Sequence, residues 1–191
     1  MEDGSRPVEV AVIGLACRFP GVSNPGEFWE ILRGGEEVTG LSPTDRPQFD
    51  PLGNPTSPDQ QREGYVDNVS DFDADFFDIS PREARSMDPR QRLALELTWE
   101  LLEASLIKPD RMRGQDVAVY IGAMNDDYAH LTLRDGGANL DHHSFAGLNR
   151  GLIANRVSYA FGMHGPSLTV DCGQSSSLVA VHLACESLRS G

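Results

Sequence analysis

Apolar and polar positions change rhythm several times along this chain, and each change predicts an element. Val8 to Ile13 is an almost unbroken apolar run closed by Gly14, the pattern of a strand buried in a parallel sheet. Asn24-Pro25-Gly26-Glu27 supplies a capping side chain, a proline at the first helical position and an acid at the third. A helix carrying Phe28, Trp29, Ile31 and Leu32 should follow and run to Gly34-Gly35. From Gly40 to Ser80 the periodicity fades into a loop rich in proline and aspartate, with one short strand expected around Tyr65 to Val69 and with Phe72, Phe76 and Phe77 buried. Ser80-Pro81-Arg82-Glu83 and Asp88-Pro89-Arg90-Gln91 both have the form of a capping box, and each should open a helix. The second helix carries Leu93, Leu97 and Leu101 at four-residue spacing, broadened by Trp99 and Leu102, and should end near Ala104.

Asp116 to Gly122 reads as a second buried strand, Met124 to Asn139 as polar and irregular, and Ser144 to Phe161-Gly162 as helical with Phe145, Leu148, Leu152, Ile153 and Val157 inward. A third strand, Ser167 to Val170, leads into a last helix that is apolar almost all round: Leu178, Val179, Val181, Leu183, Ala184 and Leu188. Such a helix needs cover on every side. Strands alternating with helices predict an α/β fold, with a parallel-rich mixed sheet and helices on both faces.

The junction of that third strand and last helix is the chemical focus. The strand stops at Asp171-Cys172-Gly173 and the helix begins at once, so Gln174 should sit on a sharp turn at a helix N-terminus. Orphan N–H groups and the helix dipole stabilise negative charge there. The arrangement is that of a nucleophile elbow, yet an amide stands at its tip and an amide does not attack carbonyls.

Composition narrows the partners. Twenty-nine acids against sixteen bases give a net charge of −13, and no Lys/Arg cluster stands out, so no nucleic-acid surface is expected. Three cysteines, Cys17, Cys172 and Cys185, lack any C-x-x-C spacing, which favours reduced thiols in a cytoplasmic protein. No stretch reaches membrane-spanning length. Asp71, Asp73 and Asp75 could begin a calcium loop, but Phe76 and Arg82 occupy its glycine and bidentate-glutamate positions, so they read as solvated loop acids. His182, two turns into the last helix, reads as a packed core histidine, and His142-His143 as loop polarity. No metal or bound cofactor is expected.

Val170-Asp171-Cys172-Gly173-Gln174-Ser175-Ser176-Ser177 resembles the active-site motif of ketosynthase domains in modular type I polyketide synthases, usually Val-Asp-Thr-Ala-Cys-Ser-Ser-Ser. Ala16-Cys17-Arg18-Phe19-Pro20-Gly21, Phe72 to Ser80, and the Ser80 to Glu103 block resemble further segments of the same family. Gln174 falls where the acyl-carrying cysteine should be. The resemblance implies a thiolase-like fold, of which residues 8–191 would be the N-terminal half after a tail of residues 1–7. It also implies the glutamine subclass of loading modules, which decarboxylates malonyl or methylmalonyl groups on the phosphopantetheine arm of acyl carrier protein. Implied partners are that carrier, the acyltransferase domain of the same module and a second copy in a homodimer. Gln174 would mark the active centre, with Gly173 and Ser175 shaping the elbow.

Decarboxylation develops charge on the thioester oxygen, and one fixed donor there is worth ~3–4 kcal/mol. The family takes its donors from two histidines in His-Gly-Thr-Gly-Thr and Gly-His motifs of its second half, and His130, His142, His143, His164 and His182 match neither motif. Cys172 is a poor substitute nucleophile, because at the strand end it lies off the helix dipole. One alternative is a non-catalytic ketosynthase-like module kept for dimerisation and interaction. A chain-length factor of type II systems, which can also carry glutamine, lacks the Ala16–Gly21 and Ser80–Arg92 strings. Only seven residues precede the first strand, which leaves no room for an upstream docking segment and suggests a domain that begins its polypeptide. These 191 residues by themselves should be inactive and should aggregate, because the last helix lacks cover. Size-exclusion chromatography and a thermal melt test this: aggregation is expected, and a monodisperse, cooperatively melting sample contradicts it.

Overall fold

The computed structural model describes residues 9–43, 62–134 and 140–191. The tail of residues 1–7, Val8, much of the proline-rich loop and residues 135–139 lie outside them. The chain divides into two compact units, one of residues 15–71 and one of residues 72–191 with the segment up to Gly14.

The smaller unit is built around helix α1 (Pro25–Gly34). Asn24 accepts the Glu27 N–H at 3.0 Å, the Glu27 carboxylate accepts the Ser23 N–H at 2.8 Å, and Gly35 closes the helix at φ 61°. Phe28 stacks on Phe19 with ring centroids 4.6 Å apart, whereas Trp29 and Leu32 remain exposed. Strands β1 (Gly40–Leu41) and β2 (Arg62–Glu63) pair antiparallel. The strand expected at Tyr65 to Val69 is therefore displaced toward the N-terminus. Residues 67–70 form a turn instead, with Asn68 at φ 54° and its carbonyl accepting the Asp71 N–H at 3.0 Å.

In the larger unit, β3 (Val119–Gly122) and β4 (Ser167–Val170) form a parallel pair. Helices α2 (Pro81–Ser86), α3 (Pro89–Ala104), α4 (Asp127–Leu133), α5 (Ser144–Leu148), α6 (Leu152–Phe161) and α7 (Ser176–Ser190) accompany it. The core gathers Ile79, Met87, Leu95, Leu102, Val157, Phe161 and Met163. The described part of the first predicted strand, Glu9 to Ile13, is not a strand, and Val12 and Ile13 are three-quarters exposed at 78% and 75%. A strand exists only by pairing, and among the described residues nothing pairs with it.

Several expectations shift, the first of them because polar side chains are used inside the fold. Helix α3 turns Gln91, Leu95 and Leu102 inward and leaves Leu93, Leu97 and Leu101 half-buried. Gln91 is fully buried: its Nε2 donates to the carbonyls of Ala146 (2.9 Å) and Gly147 (3.1 Å), and its Oε1 accepts from Arg156 Nε at 2.7 Å. Glu83 likewise pairs with Arg156 at 2.6 Å. Neither side chain closes its capping box, although Ser80 still accepts the Glu83 N–H and Asp88 the Arg90 N–H. The helix expected from Ser144 to Phe161 is broken at Asn149 to Gly151 into α5 and α6, leaving Phe145 78% exposed. The Met124–Asn139 stretch, expected to be irregular, contains α4. Phe76, expected inside, is half exposed and meets Trp99 edge-on at 4.6 Å. Helix α7 buries only Ser176 and Ala180, so Leu178, Val181 and Leu188 are exposed, as is His182, expected in the core.

The Gln91→Met variant keeps the volume but removes the donor to the Ala146 and Gly147 carbonyls and the acceptor of Arg156 Nε, leaving Arg156 with Glu83. It should lose about 2–4 kcal/mol of stability by urea denaturation. Leu93→Ala, on the half-buried side, should lose less; the reverse order would contradict this packing.

Candidate active site at the β4–α7 elbow

Gly122, the last residue of β3, has no room for a side chain. A Cβ there would lie 2.5 Å from both the Ser176 carbonyl carbon and the Ser177 nitrogen. The end of β3 thus touches the first turn of α7 directly. Gly122 is in register with Val170, and the Ala123 N–H donates to the Val170 carbonyl at 3.0 Å, so β4 ends level with that contact. The chain must pass from strand to helix within residues 171–175.

Local hydrogen bonds make the turn. Asp171 Oδ1 accepts the Gly173 N–H at 3.0 Å, and Gly173 adopts φ 62°. Ser176 Oγ accepts the Cys172 N–H at 2.9 Å and donates to the Gly173 carbonyl. Ser175 Oγ donates to the Cys172 carbonyl at 2.9 Å. Gln174 is exposed at the tip, and no described residue holds its side chain. Helix α7, 15 residues long, presents its positive dipole end there. The sulfur-bearing neighbour Cys172 is also exposed.

Two arginines to which the sequence assigned no role at the site brace this corner. Arg150 meets Asp171 at 2.5 Å and Asp126 at 3.6 Å. Arg90 grips Asp88 through Nε and Nη2, and its Nη1 donates to the carbonyls of Met124 (2.8 Å) and Asn125 (2.9 Å). The hydrogen bonds that the Arg90 guanidinium donates to Asp88 hold it above its ordinary pKa against the opposing effect of burial. Their only sequence signal was an unassigned positive charge, which fixes neither partner nor depth. Among the described residues no His, Cys, Asp or Glu cluster could hold a metal. Asp73, weighed above as a calcium ligand, accepts the Phe76 N–H at 3.1 Å.

The parallel β3–β4 pair, with its strand–elbow–helix and surrounding helices, has the thiolase-like ketosynthase fold of its structural neighbours. The chain belongs to the family of beta-ketoacyl synthase N-terminal domains, whose model matches residues 8–191, and is of the type I modular polyketide synthase kind. It is 52% identical over 187 residues to Polyketide synthase GfsA of Streptomyces halstedii, covering 95% of this chain and 2% of that protein. It is 45% identical over 192 residues to Erythronolide synthase EryA3 of Saccharopolyspora erythraea, covering 95% of this chain and 6% of that protein. Among solved structures, the oxazolomycin ketosynthase domain OzmH KS7 of Streptomyces albus JA3453 superposes with a TM-score of 0.75 at 33% identity, over 94% of this chain and 32% of that one. The ketosynthase from module 6 of the bacillaene synthase of Bacillus subtilis 168 gives 0.76 at 28% identity, over 93% and 28%. The chain therefore spans about a third of a solved ketosynthase and a few per cent of the synthases it resembles.

The two glycines of this corner should respond differently to substitution. At Gly173 an added Cβ meets nothing within 4 Å, so Gly173→Ala carries only the strain of its positive φ, about 1 kcal/mol. Gly122→Ala drives a methyl into helix backbone and should cost more, about 2–3 kcal/mol. Denaturant melts that reverse this order would contradict the geometry.

Proposed function

We propose that this chain is the N-terminal part of a glutamine-type loading ketosynthase, whose complete form removes carbon dioxide from malonyl- or methylmalonyl-acyl carrier protein to supply a starter unit. The observation that carries the reading is the pairing of a fully formed elbow with an amide tip. Gly173 at φ 62° and the Asp171, Ser175 and Ser176 hydrogen bonds present residue 174 outward at a helix N-terminus, and that residue lacks a nucleophilic atom. A site kept for acyl transfer needs a thiolate there; a site kept for decarboxylation does not.

The reaction breaks the bond between the α-carbon and the carboxylate. Carbon dioxide leaves, the electron pair moves into an enolate on the thioester oxygen, and a proton then returns to the carbon. Acetyl or propionyl thioester remains on the phosphopantetheine arm. Gln174 offers one carbonyl and one N–H₂, the polar groups of an acylated cysteine in approximate outline. It would hold the pocket in its decarboxylating state and block condensation. The donors to the enolate oxygen would come from outside these residues, from histidines of the kind the family carries in its second half. Acyl carrier protein, the acyltransferase domain of the same module and a second ketosynthase copy complete the assembly. No cofactor of the domain itself enters the scheme.

The test is carbon dioxide release from malonyl-loaded acyl carrier protein by the product of the full reading frame. Release is expected. Gln174→Ala should slow it by about tenfold or more, and Gln174→Cys should retain it only together with new condensing ability. An unchanged rate for the alanine variant would overturn the role of Gln174. No release from any malonyl-type carrier would instead favour a non-catalytic module that dimerises and orders its neighbours.

A further inference from the structure

The elbow is braced from outside by Arg150. This residue lies in the break between α5 and α6, where Asn149 Oδ1 accepts the Gly151 N–H at 2.9 Å and Thr169 Oγ1 donates to the Gly151 carbonyl at 3.3 Å. Thr169 also accepts the Ala154 N–H at 3.2 Å. The backbone on which Arg150 sits is thus fastened to β4, two residues before Asp171. From there the guanidinium reaches Asp171 Oδ2 with Nη1 and Asp126 Oδ1 with Nε. The other oxygen of Asp171 holds the Gly173 N–H, so a single carboxylate joins Arg150 to the glycine that aims Gln174. The far end is also fixed: Asp126 follows Met124 and Asn125, whose carbonyls Arg90 holds.

We infer that Arg150 is a positioning residue of the elbow. By tying Asp171 to Asp126 it sets the direction in which residue 174 is presented, and it touches no reacting atom itself. The catalytic half of this inference rests on the decarboxylase reading; the geometric half rests on the ion bridge alone. Global stability is a poor explanation for the bridge. The side chains of Arg150, Asp126 and Asp171 are 26%, 41% and 40% exposed, and pairs that open to water contribute little to folding. What the bridge does is local. Without Arg150 two carboxylates face each other across the corner, and repulsion would pull Asp171 off the Gly173 N–H.

The experiment uses the product of the full reading frame with Arg150→Ala, Arg150→Lys, and Arg150→Ala combined with Asp171→Asn. The first readout is carbon dioxide release from malonyl-loaded carrier. Arg150→Ala should lower kcat about tenfold with KM within about twofold, and Arg150→Lys should recover to within about threefold of the parent. The second readout needs no decarboxylation. In a Gln174→Cys background, the pH dependence of iodoacetamide alkylation at residue 174, resolved from Cys172 by peptide mass spectrometry, reports the local charge from Asp171, Asp126 and Arg150. Arg150→Ala should raise the apparent pKa of the residue-174 thiol by about half a unit to one unit, and adding Asp171→Asn should reverse the rise. A parent that releases no carbon dioxide while the thiol shift appears would sink the decarboxylase reading and keep Arg150 as a positioning residue. An active parent with neither kcat nor thiol pKa altered by Arg150→Ala would overturn the inference.

Discussion

The corner of this domain depends on one close approach, the contact between the end of β3 at Gly122 and the first turn of α7. Since no side chain stands at Gly122, the helix N-terminus can sit directly on the strand end, 2.5 Å from where a Cβ would be. The parallel register then brings β4 to the same level and leaves only residues 171–175 to make the turn. So short a connection requires a residue at positive φ, which Gly173 supplies, and a side chain to hold its N–H, which Asp171 supplies. The exposed tip at Gln174 is a consequence of that geometry, and chemistry enters through which residue occupies it.

The support behind the corner is polar more than apolar. Gln91, Arg156 and Glu83 join α2, α3, α5 and α6 through buried or half-buried hydrogen bonds, and Asp88 with Arg90 anchors the segment after β3. Such networks are costly to break because each lost partner leaves another group desolvated. They also place the α5–α6 break where Arg150 can reach the elbow. Framework and site are therefore coupled through arginines, while α7 packs on β3 through its first turn and Ala180 and leaves Leu178, Val181 and Leu188 exposed.

Much of this was legible in the sequence, and the failures have a common physical origin. Strands β3 and β4, helix α1 with its Asn24 cap, and the Asp171 to Ser177 turn follow from local signals: β-branched runs, prolines at first helical positions and a glycine between strand and helix. Gln91 was misread because hydrophobic patterns cannot mark a buried amide, which shifted the buried face of α3 from Leu93, Leu97 and Leu101 to Leu95 and Leu102. The residues 9–13 run was read correctly as apolar but wrongly as a strand, since strand formation needs a partner that local sequence does not encode. His182 sits on an apolar helix yet faces solvent, because composition around a residue does not say which side is covered. Arg150 and Asp126, 24 positions apart, and Asp171 beyond them, meet only through the tertiary fold.

The claim at the centre of this account is that the elbow serves chemistry without a covalent intermediate. The most direct test is intact-protein mass spectrometry of the full reading-frame product mixed with malonyl-loaded acyl carrier protein. The account predicts that the carrier loses the mass of carbon dioxide while the ketosynthase polypeptide stays unmodified throughout. An acyl adduct on the ketosynthase, at Cys172 or elsewhere, accompanying turnover would contradict it.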